Sequence, residues 1–369
     1  MRGEITKTVK EDGSITITTN GTISKLLDPV SFKPKVVVLS GDTDPDLLSK
    51  IDRVLGVKWL PDKDLLEYKF EVNLAMKVKG KRIKGPKLTL KDVDMIRSHQ
   101  FSRRQVLGIC HQLYDPYGLT ASYIMKLKVR LRELVLMELD WDQHIPYVEN
   151  EWWQHRVAEI ITSKAITFPR SIWIEQAKSR PEVLGFWDGS NVGYGCLVYV
   201  RWLTSSPGQP DTYYTILLCS KARVTPKLCT TPRAELSGLV LLARLLRKVI
   251  PNMDTRPIRL SIMGDSTCTI ASMQMSVTNM KPFFANRVLE IVTHLRHMGK
   301  EADRDITEEL TLEERADTEA DMMVDLIHHI AGVDNPADIP SRGNIAWSEM
   351  DIGSNYQSGP DFILSLIHI

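Results

Sequence analysis

Two kinds of spacing divide this chain. Before Val72 and after Pro181, apolar residues alternate with polar ones or run in short blocks; from Thr89 to Ile161 they recur at helical intervals. Leu55–Trp59 and Leu66–Val72, separated by Pro61-Asp62, predict a β-hairpin. Residues 1–50 are weakly patterned, with strands expected only at Ser14–Thr19 and Lys35–Leu39. Ser102 is the expected N-cap of a helix through Leu113, and Asp115-Pro116-Tyr117-Gly118 then forces a turn. Thr120 caps a longer helix to about Leu139, with Ile124, Leu127, Leu131, Leu134 and Val135 as its apolar set. Pro146 starts another helix, in which Trp152, Trp153 and Val157 read as core. Phe168–Arg180 reads as a connector.

The pattern is most distinctive from Gly185 to Val200. An apolar approach reaches Asp188, turns at Gly189-Ser190, and returns through Gly193, Gly195, Leu197 and Tyr199, which is a hairpin with an acid at its first shoulder. Thr212–Cys219 predicts a third strand, Pro232 to about Val249 a helix, and Ile258–Met263 a fourth strand. Ser266 starts a short helix, Pro282 to about His297 a longer one, Asp325–Ile330 a fifth strand, and Pro336 a last helix. That order is a mixed five-stranded sheet with flanking helices, an α/β domain. The expected organisation is a hairpin and basic loop at 51–92, a mostly helical region at 93–180, and the α/β domain at 181–363.

Composition adds three points. Hydrophobic residues make up 43% of 369, enough for packed cores in two or three domains. The net charge of +1 hides segregation: Lys77–Lys91 is basic, and Gly80, Gly85 and Pro86 predict that this strip is loop. Lys126, Lys128, Arg130 and Arg132 give the long helix basic faces that suit a nucleic-acid backbone. Glu301–Asp325 is acidic and reads as an insertion. The 5 cysteines contain no Cys-x-x-Cys pair, which argues against a zinc finger or a disulfide framework. No apolar run spans a bilayer and no signal peptide opens the chain. Leu364–Ile369 continues no element and reads as a non-native tail.

The candidate chemistry lies in four acids. Asp188 ends the first strand of the α/β domain, Glu235 lies one turn into its first helix, and Asp265 and Asp338 follow its fourth and fifth strands. In an open α/β sheet such positions converge. Converging carboxylates repel unless cations neutralise them, and hard oxygen ligands suit Mg²⁺ or Mn²⁺. Two such ions can clamp the attacking and leaving oxygens of a phosphodiester.

Several ordered motifs carry a family resemblance. They are Ser-Arg-Arg-Gln-Val-Leu-Gly (Ser102–Gly108), Tyr-Asp-Pro-Tyr-Gly-Leu (Tyr114–Leu119), Leu-Asp-Trp-Asp (Leu139–Asp142), Ser-Lys-Ala-Arg-Val (Ser220–Val224), Thr-Pro-Arg-Ala-Glu-Leu (Thr231–Leu236), Phe284–Ile291 and His329–Gly343. Through these, the chain after about Val54 resembles the BEL/Pao family of long-terminal-repeat retrotransposon polyproteins. The resemblance implies a ribonuclease H-like fold preceded by a helical thumb or connection region, with Leu55–Val72 as the edge of a reverse transcriptase palm. It implies that Asp188, Glu235, Asp265 and Asp338 bind two divalent ions, Asp188 bridging both. It casts His329 as a mobile-loop histidine that assists proton transfer or product release. Ala331 stands where the family pattern usually has proline, and no adjacent Asp pair exists for a polymerase site.

The implied activity is endonucleolytic hydrolysis of the RNA strand of RNA–DNA hybrids, without polymerase activity. The implied partners are the hybrid and the rest of the polyprotein, including palm and integrase, with no membrane. The implied place is the cytoplasm, within a virus-like particle. Lys221, Arg223, Arg233 and Arg287 join the helix cations as candidate phosphate contacts. Two other readings stay open: an integrase- or transposase-like DNA-processing enzyme, and an inactive or domesticated nucleic-acid-binding module.

Overall fold

The computed structural model describes residues 5–9, 15–19, 38–39, 53–54, 57–78, 81–205, 211–302 and 326–364. Strands β1 (Ile5–Val9), β2 (Ile15–Thr19) and β3 (Val38–Leu39) form a small antiparallel sheet. The remainder of the N-terminal strand expectation, the bulk of the acidic run and residues 365–369 lie outside the described residues. Leu364 itself closes a final 3₁₀ turn, Asp361–Leu364.

The predicted hairpin is present as β5 (Val57–Leu60) and β6 (Leu65–Tyr68), preceded by β4 (Arg53–Val54). The basic strip is not the loop that its glycines and proline suggest. It folds as a hairpin of β7 (Asn73–Val78) and β8 (Lys81–Lys87). A two-stranded ribbon has only edges, so Gly85 and Pro86 do not interrupt a central ladder. A register shift between Asn73 and Ala75 takes up the irregularity.

Four helices follow: α1 (Val93–Ser98), α2 (Arg103–Gln112), α3 (Ala121–Leu136) and α4 (Tyr147–Thr162). Ser102 caps α2 in a capping box, its N–H donating to Gln105 Oε1 at 2.9 Å while its Oγ accepts from Gln105 N. Thr120 precedes α3 without a side-chain cap; the Asp115 carboxylate instead accepts the Thr120 N–H at 2.8 Å. The helix stops at Leu136, short of Leu139, as Glu138 turns to φ 54°. Trp153 is fully buried. The expected connector begins with a strand, β9 (Ile166–Pro169), whose alternate residues Ile166 and Phe168 are buried and which pairs with β6.

The α/β part contains β10 (Glu182–Gly189), β11 (Gly193–Thr204), β12 (Thr212–Val224), α5 (Thr231–Val249), β13 (Arg259–Gly264), α6 (Thr267–Gln274), α7 (Pro282–Ala302), β14 (Ile327–His329), α8 (Asp338–Arg342) and α9 (Asn355–Ser358). The sheet order is β12-β11-β10-β13-β14, antiparallel among the first three and parallel from β10 through β14. Alternation sorts its side chains into two cores. Val183, Trp187, Cys196, Val198 and Ile262 pack with Leu236, Leu239, Leu246, Val288 and Ile291 of α5 and α7. Leu184, Phe186, Leu197, Tyr199 and Met263 face the other way, into a core shared with α2–α4 and with Ile345, Trp347 and Tyr356. With both faces covered, β10 reads as a continuous apolar run until Asp188.

Candidate metal centre

The parallel strands β10, β13 and β14 end at the same edge, and the acids follow from that. Asp188 lies at the last turn of β10, 4% exposed, and Asp265 follows β13 directly. Asp338 opens α8. Carboxylate oxygens of Asp188, Asp265 and Asp338 lie within 4.8 Å of one another. Glu235 joins them from the first turns of α5, where its Oε2 accepts from Ser266 Oγ at 2.7 Å. Close packing makes this convergence possible: a Cβ on Gly189 would come within 2.2 Å of the Ala234–Glu235 backbone, and one on Gly264 within 2.4 Å of the Trp187 ring.

The electrostatics register the crowding. Burial, then the neighbouring Asp188 carboxylate, push Asp338 up to about 6, with Arg342 opposing. Burial also raises Glu235, and Asp188 and Asp265 add to it against the Ser266 bond. Three neutral side chains hold the acids. Ser341 Oγ donates to Asp188 Oδ2, and Asn335 Nδ2 donates to Asp265 Oδ1 at 3.1 Å and to Trp187 O at 3.0 Å. Ser266 does the same for Glu235. None of the three stands out from sequence as a site residue: Ser266 reads there only as a helix start, and Asn335 and Ser341 lie inside the His329–Gly343 motif. Charge is what marks a residue in the sequence, and these three act as neutral hydrogen-bond donors.

The other candidates are distributed as follows. His329 sits exposed at the end of β14, in register with Gly264, the residue before Asp265. On α3, Lys126 Nζ donates to Ile345 O at 3.1 Å, Arg130 pairs with Glu149 at 2.8 Å and Glu133 at 3.0 Å, and Arg132 donates to Thr225 O at 2.8 Å. These three head groups are therefore engaged with the protein, because the faces of α3 that carry them pack on neighbouring chain; Lys128 is exposed. Lys221 and Arg223 are exposed on β12, and burial with Arg223 and Lys248 nearby lowers the Lys221 pKa. Arg233 and Arg287 both lie over the Phe283 ring, at 4.8 and 3.5 Å, and neither has a carboxylate partner among the described residues.

The sheet order, its mix of parallel and antiparallel pairs and the acids at its strand ends define an α/β domain of the ribonuclease H-like class. More narrowly, residues 102–266 match the family described as the Pao retrotransposon-like RNaseH-like domain. The match includes Asp188, Glu235 and Asp265 and also takes in α2–α4. Among solved structures, the chain is similar to the N-terminal RNase H domain of a Mycobacterium tuberculosis protein, solved as a fusion with maltose binding protein. That similarity has 15% identity over 39% of this chain and 99% of that one, with a TM-score of 0.22. A type 1 RNase H with the type 2 active-site motif is similar at 16% identity over 32% of this chain and 59% of that one, also with a TM-score of 0.22. No curated protein matches. Among the described residues, no helix is long and apolar enough to cross a membrane.

Proposed function

We propose that the four acids form the metal centre of a ribonuclease H that hydrolyses the RNA strand of RNA–DNA hybrids. The observation that carries this reading is the carboxylate trio within 4.8 Å at one sheet edge, of which Asp188 and Asp265 lie inside the stretch that matches the Pao family. The donor set fits hard divalent cations: all ligands are carboxylate oxygens, and burial, then the Asp188 charge, already raise Asp338. Asp188, Asp265, Asp338 and Glu235 would hold two ions, Mg²⁺ or Mn²⁺. Such ions supply an acidified water for attack on phosphorus and positive charge for the departing 3′ oxygen.

The chain's own groups prepare that chemistry. Ser341 and Asn335 each occupy one oxygen of Asp188 and Asp265, fixing both carboxylates in rotation. Ser266 orients Glu235. His329, at the strand end in register with Gly264, is the group proposed to move a proton at product release. The hybrid would be held through phosphates and 2′-hydroxyls rather than base edges. Lys128, Lys221, Arg223, Arg233 and Arg287 are the cations proposed for phosphate contact. The wider partners proposed are the palm and integrase parts of a retrotransposon polyprotein, acting in a cytoplasmic virus-like particle.

Divalent-dependent cleavage of a labelled RNA–DNA hybrid tests the reading against its rivals. Cleavage of the RNA strand supports it. Cutting or joining of DNA alone would favour an integrase-like enzyme, and metal-independent binding without cleavage an inactive module.

A further inference from the structure

Helix α3 touches both halves of the acid site. Arg132 Nη1 donates to Thr225 O at 2.8 Å and to Val192 O at 3.4 Å. Thr225 in turn donates its N–H to Val192 O at 3.0 Å and its Oγ1 to Ser190 O at 2.9 Å. Arg132 therefore ties the turn joining β10 to β11, which begins two residues after Asp188, to the chain just past β12. About two turns earlier, Met125 fills the space over Gly193, where an added Cβ would meet its methyl at 1.9 Å. Beside it, Gly343, with φ 71°, lies against the Lys126 backbone, and Lys126 Nζ donates to Ile345 O at 3.1 Å. Gly343 ends α8, the helix that carries Asp338 and the Ser341 hydroxyl bonded to Asp188.

We infer that α3 is a positioning element of the metal centre, with Arg132 and Lys126 as positioning residues that hold the Asp188 turn and the Asp338 helix at a fixed separation. The inference rests on the proposed metal centre. Clustered carboxylates push one another apart, so the elements bearing them need an outside brace to stay near ligand geometry before any cation arrives. A guanidinium that bonds one carbonyl of the turn, Val192 O, and one just past β12, Thr225 O, is suited to that, and a more strongly hydrated ammonium is a weaker substitute.

The test uses the full chain, with Arg132→Ala, Arg132→Lys, Lys126→Ala and, as a phosphate-contact reference, Lys128→Ala. Three quantities are read: the Mg²⁺-induced shift in Tm without nucleic acid, hybrid affinity against salt, and the single-turnover rate on bound hybrid. Arg132→Ala should need about tenfold more Mg²⁺ for its Tm shift and cut roughly ten to a hundredfold more slowly. Its hybrid Kd and salt slope should stay at the parent's values. Arg132→Lys should recover part of the loss, and Lys126→Ala should show the same pattern more weakly. Lys128→Ala should instead weaken binding and lower the salt slope by about one, with its Mg²⁺ response intact. If Arg132→Ala behaves like Lys128→Ala, or merely melts earlier while its Mg²⁺ response and rate stay parental, the brace is wrong. Should Arg132→Ala not fold, Arg132→Lys and Lys126→Ala carry the same comparison. A parent that shows the Mg²⁺ shift but cuts no hybrid refutes the nuclease reading, while the Mg²⁺ arm still decides the brace. A parent with no Mg²⁺ shift refutes the metal centre itself and the brace with it.

Discussion

Asp338 is where the cost of gathering these acids is concentrated. Its folded pKa is raised to about 6, by burial first and Asp188 second, so the native state holds this proton more tightly than the unfolded chain does. Linkage then fixes the sign: without metal, this group's penalty on stability grows as pH rises from the ordinary aspartate range through about 6, and is absent below it. Asp115, buried and likewise raised to about 6, contributes the same slope. Mg²⁺ should flatten the shares of Asp338 and of Glu235, which is also raised, but not that of Asp115, so melting curves from pH 4.5 to about 7.5, with and without Mg²⁺, should diverge upward in pH. Identical curves at every pH would remove the metal site. Asp188→Asn and Asp265→Asn relieve the same repulsion: each should melt higher than the parent without Mg²⁺, and gain less from adding it. The acids were legible because a carboxylate at a strand end is unusual in a group of four. Ser341, Asn335 and the duties of Arg132 were not, since helical spacing shows which faces of α3 are polar but not what those faces meet.

At the level of elements, local signals worked where a residue has one physical use. Ser102 announced α2, and Ser102→Ala should cost about 1 kcal/mol in urea unfolding by removing one cap bond. Gly118 is a sharper case. It adopts φ 74°, its carbonyl accepts the Ser220 hydroxyl, and an added Cβ would fall 1.7 Å from Ser220 O. Gly118→Ala should therefore cost more than the ~1–2 kcal/mol of left-handed backbone alone, because the Tyr114–Leu119 turn must lift off β12. A loss under about 1 kcal/mol would mean that the turn does not dock there. The motifs Ser102–Gly108 and Leu139–Asp142 meet in the same way: Arg103 and Arg104 lie over the Trp141 ring at 4.7 and 5.2 Å, and Arg104 pairs with Asp142 at 2.9 Å. The β7–β8 hairpin was missed because glycine and proline punctuate loops and edge ribbons alike.

Across the whole molecule, the change of spacing near Pro181 marks a change of secondary structure, not a break in the core. Leu184, Phe186, Leu197, Tyr199 and Leu217 bury their side chains in the cluster that holds Ile124, Leu127 and Trp153. The C-terminal segment closes the seam: Tyr356 Oη donates to Leu119 O at 3.1 Å, and Gln357 Nε2 to Thr167 O at 2.7 Å. Periodicity within a strand says that both faces are covered, but not by which distant helices. Uncovering those five side chains, at ~1.5–3 kcal/mol each, would cost about as much as a domain's entire net stability. Residues 181–363 alone should therefore bind a hydrophobic dye and lack a cooperative melt; a sharp melt would show that the α/β part is self-sufficient. The central claim is that the acid cluster cuts RNA in a hybrid, and single-turnover cleavage of a prebound, RNA-labelled hybrid by the parent, Asp188→Asn and Asp265→Asn addresses it most directly. The prediction is Mg²⁺-dependent cleavage of the RNA strand by the parent and a loss of about a hundredfold or more in each variant, with hybrid affinity retained. Parental rates and metal response in both variants would contradict it.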